Sequence, residues 1–143
     1  MATTRSATTQ WQGELTKGSG TVTLESSGIG TYDVSWPARA EEPGGKTSPE
    51  ELIAAAHSAC FSMALSHGLS GAGTPPETVE TQAKVTFQPG EGITGIALTV
   101  KARVPGISAE DFQAAARGAK ENCPVSKALA GAPITLESAE LLS

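Results

Sequence analysis

Apolar and polar residues alternate along three short segments near the N-terminus, with the two-residue period of a strand that buries one face. These segments are 5–16, 21–26 and 31–36, and turn-forming residues over 27–30 separate the last two. The pattern predicts an antiparallel meander of three short strands.

Alternation returns in the second half of the chain, over segments 79–88 and 93–104. The sequence Pro89-Gly-Glu-Gly92 between them is typical of a turn, so the two segments predict a hairpin of longer strands. A last strand is predicted over 134–142.

A helical pattern begins at Ser48. This residue is a favourable N-cap, Pro49 suits the first helical position, and Glu51 completes a capping box. The helix is expected to run to about His67, with Gly68 as its C-terminal stop. Its middle is apolar on every side rather than along one stripe, which predicts a helix that is buried all round.

Two further helices follow the predicted hairpin. Ser108 and Asp111 repeat the capping pattern ahead of a helix that is expected to reach about Lys120. A short helix over 124–130, ended by Gly131, precedes the last strand. Because the strands come in groups rather than alternating with helices, the order predicts an α+β fold with antiparallel pairing.

Composition narrows the class of protein. The chain has 143 residues, which fits a single domain over 1–143. Only 4% of the residues are aromatic, so the core must use small aliphatic side chains and gains from pairing with another chain. A net charge of −5 without any basic run argues against nucleic acid as a partner.

We also expect no targeting signal. The first residues include no apolar segment of signal-peptide length, and the apolar run 52–65 is too short to cross a bilayer, so we expect a soluble cytoplasmic protein without membrane association. Cysteines in a reducing cytoplasm are more often free, metal-bound or transiently oxidised than permanently paired. No Cys-x-x-Cys or His-x-x-x-His spacing supports a metal site, and no bound cofactor is expected.

The two cysteines are the candidate reactive groups. Cys60 lies inside the apolar helix, and Cys123 stands immediately before Pro124 at the start of the short helix. A mid-helix apolar setting is expected to raise the pKa of Cys60, whereas a helix N-terminus is expected to lower the pKa of Cys123. The alternative is a pair of buried thiols that act only as small hydrophobic side chains.

Three segments together resemble the OsmC/Ohr family of osmotically induced and organic-hydroperoxide-resistance proteins. They are Pro37-Ala-Arg39, Thr47-Ser-Pro-Glu-Glu-Leu-Ile-Ala-Ala-Ala-His-Ser-Ala-Cys-Phe-Ser-Met-Ala-Leu65 and Asn122-Cys-Pro-Val-Ser-Lys127. Arg39 stands in the loop before the long helix, as the functional arginine does in the OsmC branch. The resemblance implies antiparallel sheets packed around a long buried central helix, in an intertwined homodimer with active sites at its interface.

By the same resemblance the protein is a thiol-dependent peroxidase that acts on organic hydroperoxides. Cys60 is then the attacking thiol and Cys123 the resolving thiol. Arg39 stabilises the thiolate and the leaving oxygen, and Glu50 orients Arg39. An external dithiol restores both cysteines, and a lipoylated protein and a thioredoxin-type donor are both candidates for this role.

The spacing along the long helix adds one expectation about assembly. Glu50 and Cys60 are ten residues apart, which places them about 15 Å apart along a helix axis. If two copies of the helix pack antiparallel across a two-fold axis, Glu50 of one chain lies beside the middle or far end of the other helix. Arg39 and Glu50 are therefore expected to complete the partner chain's site.

Two other functions stay open at this point. One is a non-enzymatic dimer that binds an apolar ligand and whose cysteines are structural or sense oxidants. The other is cysteine-dependent acyl transfer, which needs a base such as His57 and an oxyanion site; we assign His57 no catalytic role. Apolar residues near the thiols are expected to line a pocket that favours alkyl hydroperoxides: Phe61, Leu52, Ile53, Met63 and Val125.

Overall fold

A computed structural model describes residues 1–143. The chain divides into two compact units, Met1–Leu52 and Ile53–Ser143, and each unit has its own three-stranded sheet. Single-domain organisation over 1–143 stays a prediction.

The N-terminal unit is built on an antiparallel sheet of three strands that pair in chain order. Its elements are β1 (Ala7–Gln12), β2 (Ser19–Leu24), β3 (Thr31–Val34), the short helix α1 (Trp36–Ala40) and the first turn of α2 (Pro49–Gly71). The predicted meander is confirmed, but β1 is shorter than predicted because a turn that contains Gly13, at φ 90°, follows it. Val22 is the one buried hydrophobic residue of this unit, which therefore has almost no core of its own.

The C-terminal unit holds the rest of α2 and a second sheet of three strands, which also lie side by side in chain order. Its other elements are β4 (Thr78–Gln88), β5 (Gly92–Arg103), α3 (Ala109–Asn122), α4 (Pro124–Ala128) and β6 (Ile134–Leu142). The predicted hairpin of β4 and β5 is confirmed as an antiparallel pair. β5 and β6, however, pair in parallel, which corrects the prediction of antiparallel sheets throughout. A parallel pair needs a long crossover connection, and α3 and α4 lie between these two strands.

The core of the C-terminal unit is formed by alternate residues of β5 and by one stripe each of α2 and α3. The β5 residues follow the two-residue period of a strand, and the helical residues recur at intervals of three or four. The buried members are Ile96, Leu98, Val100, Ala102, Phe61, Leu65, Leu69, Phe112, Ala116 and Ala119.

Helix α2 begins where the sequence predicts and ends later. Ser48 caps it by accepting a hydrogen bond from the Glu51 backbone N–H at 3.1 Å. The helix continues through Gly68 to Gly71, so the predicted stop at Gly68 is wrong by about one turn. A glycine inside a helix lowers its stability but does not end it when the flanking turns are packed in a core.

A single chain buries only one stripe of α2. His57, Phe61, Leu65 and Leu69 are buried, whereas the opposite face is open and includes Met63, which is 72% exposed. Burial on every side, as predicted, is therefore not present within one chain. By length and composition α2 is also apolar enough to cross a membrane, a property that core helices of soluble proteins share.

Candidate active site

An arginine–glutamate pair lies in the N-terminal unit. Arg39 Nε donates to both carboxylate oxygens of Glu50 at 3.1 Å, and Nη2 donates to Oε2 at 2.9 Å. Glu50 is only 7% exposed, so its carboxylate depends on this contact after losing much of its hydration. The pairing expected between these residues is present in the structure, and their catalytic roles stay predictions.

Arg39 is positioned by α1, a helix that the sequence interpretation placed partly in a strand and partly in a loop. Ser35 caps this helix by accepting a hydrogen bond from the Ala38 N–H at 3.2 Å, and Pro37 occupies its first turn. Serine followed two residues later by proline is a helix-start signal that the alternation of 31–36 concealed. The short helix places Arg39 in its last turn, opposite the first turn of α2 that carries Glu50.

An apolar cleft of about 350 Å³ lies beside Arg39 in the same unit. Its walls come from one face of the sheet, from the turn after β1, from α1 and from the first turn of α2. The apolar residues that line it are Trp11, Leu15, Val22, Val34, Trp36, Pro49 and Leu52. The cleft thus combines an apolar surface of substrate size with one guanidinium group.

Two reduced cysteines meet in the C-terminal unit. Cys60 lies on α2 and is half-buried, and Cys123 is fully buried at the junction of α3 and α4. Their side chains are close enough to hydrogen-bond to each other. The predicted proximity of two residues far apart in the sequence is therefore present, and both are free thiols in this state.

The two thiols differ in acidity. Burial raises the pKa of Cys60, and the neighbouring Cys123 raises it further. Burial also acts to raise the pKa of Cys123, but hydrogen bonds from Cys60, Ser126 and the Val125 backbone outweigh it and lower the pKa. Cys60 therefore has no activating cation within this unit, and Cys123 is the more acidic thiol, as the local sequence predicts.

A buried hydrogen bond lies one helical turn from each cysteine. His57 Nε2 and Ser126 Oγ are 2.7 Å apart, and both residues are buried. Burial lowers the pKa of His57, which favours its neutral form, and its Nδ1 has no hydrogen-bond partner. Ser126 was not singled out from the sequence, although it belongs to the Asn-Cys-Pro-Val-Ser motif and stands three residues after Cys123.

The residues expected to line a pocket around the thiols are dispersed. Phe61 is fully buried in the core, and Met63 is exposed. Leu52 lines the cleft beside Arg39, whereas Ile53 lines a smaller cleft of about 300 Å³ against β5 and the end of α4. Val125 acts on Cys123 through its backbone N–H.

No cluster of three or more His, Cys, Asp or Glu side chains is suited to hold a metal ion. The chemically active groups are the two thiols in one unit and the guanidinium–carboxylate pair in the other. Such a set is suited to thiol redox chemistry, in which a thiolate is the nucleophile and a guanidinium stabilises negative charge.

The fold and the thiol pair define a small α+β thiol redox protein. The OsmC-like protein family matches residues 42–138, and the chain belongs to this family. It is 45% identical over 130 residues to Peroxiredoxin OsmC of Escherichia coli (strain K12), covering 89% of this chain and 90% of that protein. It is 34% identical over 122 residues to the organic hydroperoxide resistance protein OhrA of Bacillus subtilis (strain 168), covering 82% and 86%.

Solved structures agree with this assignment. The organic hydroperoxide resistance protein OsmC of Legionella pneumophila matches with a TM-score of 0.70 at 25% identity, over 95% of this chain and 97% of that chain. OhrB of Bacillus subtilis matches with a TM-score of 0.65 at 27% identity, over 96% and 98%. The predicted family and the α+β fold class are confirmed.

Proposed function

We propose that this chain is a cysteine-based peroxidase that reduces organic hydroperoxides to alcohols with Cys60 and Cys123. The observation that carries the proposal is the pair of reduced thiols, brought within hydrogen-bonding reach from two different elements. The names peroxiredoxin and organic hydroperoxide resistance protein, borne by relatives of the same family, support this chemistry.

The proposed cycle has three steps. The Cys60 thiolate attacks one peroxide oxygen, the O–O bond breaks, and the alkoxide leaves and is protonated to the alcohol. Cys60 is then a sulfenic acid, which Cys123 attacks; an S–S bond forms, the S–O bond breaks, and the oxygen leaves as water. An external dithiol, from a lipoylated protein or a thioredoxin-type donor, reduces the disulfide and is itself oxidised.

Arg39 is the proposed source of the positive charge that Cys60 needs, since burial and the neighbouring Cys123 raise the Cys60 pKa. A guanidinium stays charged at any working pH and can donate to both the thiolate and the leaving oxygen. Glu50 holds this guanidinium through three hydrogen bonds, which restricts its orientation. Together they form the proposed electrostatic half of the site.

We place the two halves of the site on different chains of a homodimer. Glu50 and Cys60 are ten residues apart on one continuous helix, about 15 Å along its axis, so Glu50 is poorly placed to serve its own Cys60. Two unpartnered surfaces support a dimer: the N-terminal sheet, which buries only Val22, and the open face of α2. A second copy of the chain that covered both surfaces would make α2 a buried core helix of the dimer. The apolar composition of α2 then needs no membrane span.

The apolar cleft beside Arg39 is the proposed site for the organic part of the substrate. Its lining is mostly apolar, and burial of an alkyl or aryl group there adds binding free energy that hydrogen peroxide cannot gain. The same cleft favours a second candidate function, the binding of an apolar ligand without turnover. The two functions differ in whether the cysteines are consumed and regenerated.

The test is turnover of cumene hydroperoxide and of hydrogen peroxide with a dithiol reductant, for the wild type, Cys60→Ser and Cys123→Ser, with thiols followed by mass spectrometry. Peroxidase function predicts faster turnover of cumene hydroperoxide, no turnover by Cys60→Ser, and a trapped sulfenic acid in Cys123→Ser. A wild type that neither turns over hydroperoxide nor loses thiols supports the ligand-binding function instead. A sulfenic acid trapped on Cys123 in the Cys60→Ser variant reverses the assigned order of attack.

A further inference from the structure

The His57–Ser126 hydrogen bond is the buried polar contact that the proposed cycle does not use. It joins α2 to α4 across 69 positions of sequence, with a separation of 2.7 Å. His57 precedes Cys60 by three residues, and Ser126 follows Cys123 by three, so the bond lies one helical turn from each thiol. A polar pair in such a place costs desolvation free energy that neighbouring apolar side chains would not.

Ser126 also contacts the second cysteine. Its side chain and its backbone N–H both lie near the Cys123 sulfur, and both lower the pKa of that thiol. The serine hydroxyl has a single hydrogen, so it can donate to either the histidine or the sulfur, but not to both at once. The protonation of His57 therefore decides where that hydrogen points.

The surroundings of His57 favour one of the two tautomers of its neutral ring. Its Nδ1 is buried and has no partner, so the neutral ring carries its proton either on Nδ1, as an unpaired N–H, or on Nε2. An orphaned buried N–H is rarer in proteins than an acceptor that lacks a donor. With the proton on Nε2, His57 donates to Ser126 Oγ, and the serine hydroxyl is left to donate to sulfur.

We propose that His57 is a positioning residue for Cys123. It donates Nε2–H to Ser126, and this directs the serine hydroxyl onto the Cys123 sulfur. The hydroxyl then stabilises that sulfur as the thiolate that attacks oxidised Cys60. The inference rests on the proposed two-cysteine cycle and concerns its second step. The two contacts, from His57 to Ser126 and from Ser126 to Cys123, are called the relay. In the second step, Cys123 loses its proton and its sulfur bonds to the Cys60 sulfur. The S–O bond breaks, and the departing hydroxide takes up a proton to leave as water.

The titratable neighbours of the Cys123 sulfur are few. Cys60 donates to it directly, and His57 reaches it only through the Ser126 side chain. The other groups that act on it are the backbone N–H groups of Val125 and Ser126. Within one chain, no acidic or basic side chain is among the groups that shift the pKa of this thiol, and Arg39 of the other chain, which the proposed dimer places beside Cys60, is the same in every variant. Loss of the relay should therefore be visible as a change in the acidity of Cys123 alone.

The test measures the Cys123 pKa by thiolate absorbance in a Cys60→Ser background, where no hydroperoxide is needed. Ser126→Ala and His57→Leu are each expected to raise that pKa by about 1, the effect of about one hydrogen bond to a charged acceptor. The double variant should raise it no further, because the two residues act in series. His57→Gln should restore the wild-type value, since its amide Nε2 stands where the ring Nε2 donates.

A second measurement tests the relay in the intact cysteine pair. After one equivalent of hydroperoxide, disulfide formation near neutral pH should be slower in His57→Leu and Ser126→Ala, by up to about tenfold, in proportion to the lost thiolate. Formation of the Cys60 sulfenic acid, followed in a Cys123→Ser background, should keep its wild-type rate in both. A Cys123 pKa that His57→Leu leaves unchanged, in a variant that still folds, overturns the relay whether or not the protein is a peroxidase. If His57→Leu does not fold, an unchanged pKa in Ser126→Ala overturns it in the same way.

Discussion

His57 is a buried base, and its titration is expected to make folding depend on pH. Burial lowers its pKa below the ordinary value of 6.5, so the unfolded chain takes up a proton at a higher pH than the folded chain does. The free energy of unfolding should therefore fall as the pH drops below about 6.5, with a slope of at most about 1.4 kcal/mol per pH unit from this group. Urea unfolding from about pH 7.5 to about pH 5 measures the slope.

His57→Gln should flatten the pH dependence, because glutamine has no proton to take up in this range. A His57→Gln variant that keeps the full wild-type slope would show that some other group carries the effect.

Arg39 makes a bidentate contact with Glu50 that lysine cannot reproduce. Arg39→Lys keeps the charge but loses the bidentate contact with Glu50, so kcat/KM for an alkyl hydroperoxide should fall about tenfold. Arg39→Gln removes the charge as well and should cost about 10²-fold or more. Steady-state kinetics with a dithiol reductant measures both, and Arg5→Gln, at an exposed arginine of the same unit, should be unaffected. Wild-type kinetics in Arg39→Gln would remove this residue from the mechanism.

At the scale of elements, local signals predicted where the longer helices α2 and α3 begin, and tertiary structure decided how elements end and pair. Ser48 and Ser108 cap their helices as predicted, because capping depends only on neighbouring residues. The stop at Gly68 failed because core residues on both sides of it, Leu65 and Leu69, hold the helix together. The parallel pairing of β6 with β5 is set by the crossover through α3 and α4, which no local pattern specifies.

The open face of α2 is expected to be a subunit interface. Replacing Met63 by Glu places a charge on this face, and burying an unpaired charge costs several kcal/mol, so the dimer should dissociate at micromolar concentration. Ala114→Glu, at an exposed position of α3, introduces the same side chain and should leave the dimer intact. Sedimentation analysis of the two variants distinguishes them; a dimer that persists in Met63→Glu places the interface elsewhere.

For the molecule as a whole, the sequence predicted the fold class, the family and the meeting of Cys60 with Cys123. The meeting of the two thiols was predicted because both cysteine motifs resemble the family, and not from the number of residues between them. Ser126 was missed because its role depends on His57, and a hydrogen bond across 69 positions leaves no local pattern. The cleft beside Arg39 was missed for a similar reason, since its walls come from strands and helices whose packing only the folded chain shows.

Assembly is the property of the whole molecule that the proposed site depends on, and subunit complementation tests it. In a heterodimer of Arg39→Gln and Cys60→Ser chains, shared sites leave one intact site, in which Cys60 of one chain meets Arg39 of the other. About half the wild-type activity per dimer is then expected. If each chain builds its own site, both sites are broken and activity is lost.

The mirrored heterodimer provides the decisive control for complementation. When a wild-type chain pairs with a chain that carries both Arg39→Gln and Cys60→Ser, shared sites are both broken, because each lacks one of the two residues. Self-contained sites would instead leave the wild-type one intact, with about half the activity. The two heterodimers hold the same four residues in total and differ only in their distribution, so opposite activities can arise only from where the site is assembled. Activity in the mirrored dimer and none in the first would place Arg39 beside the Cys60 of its own chain.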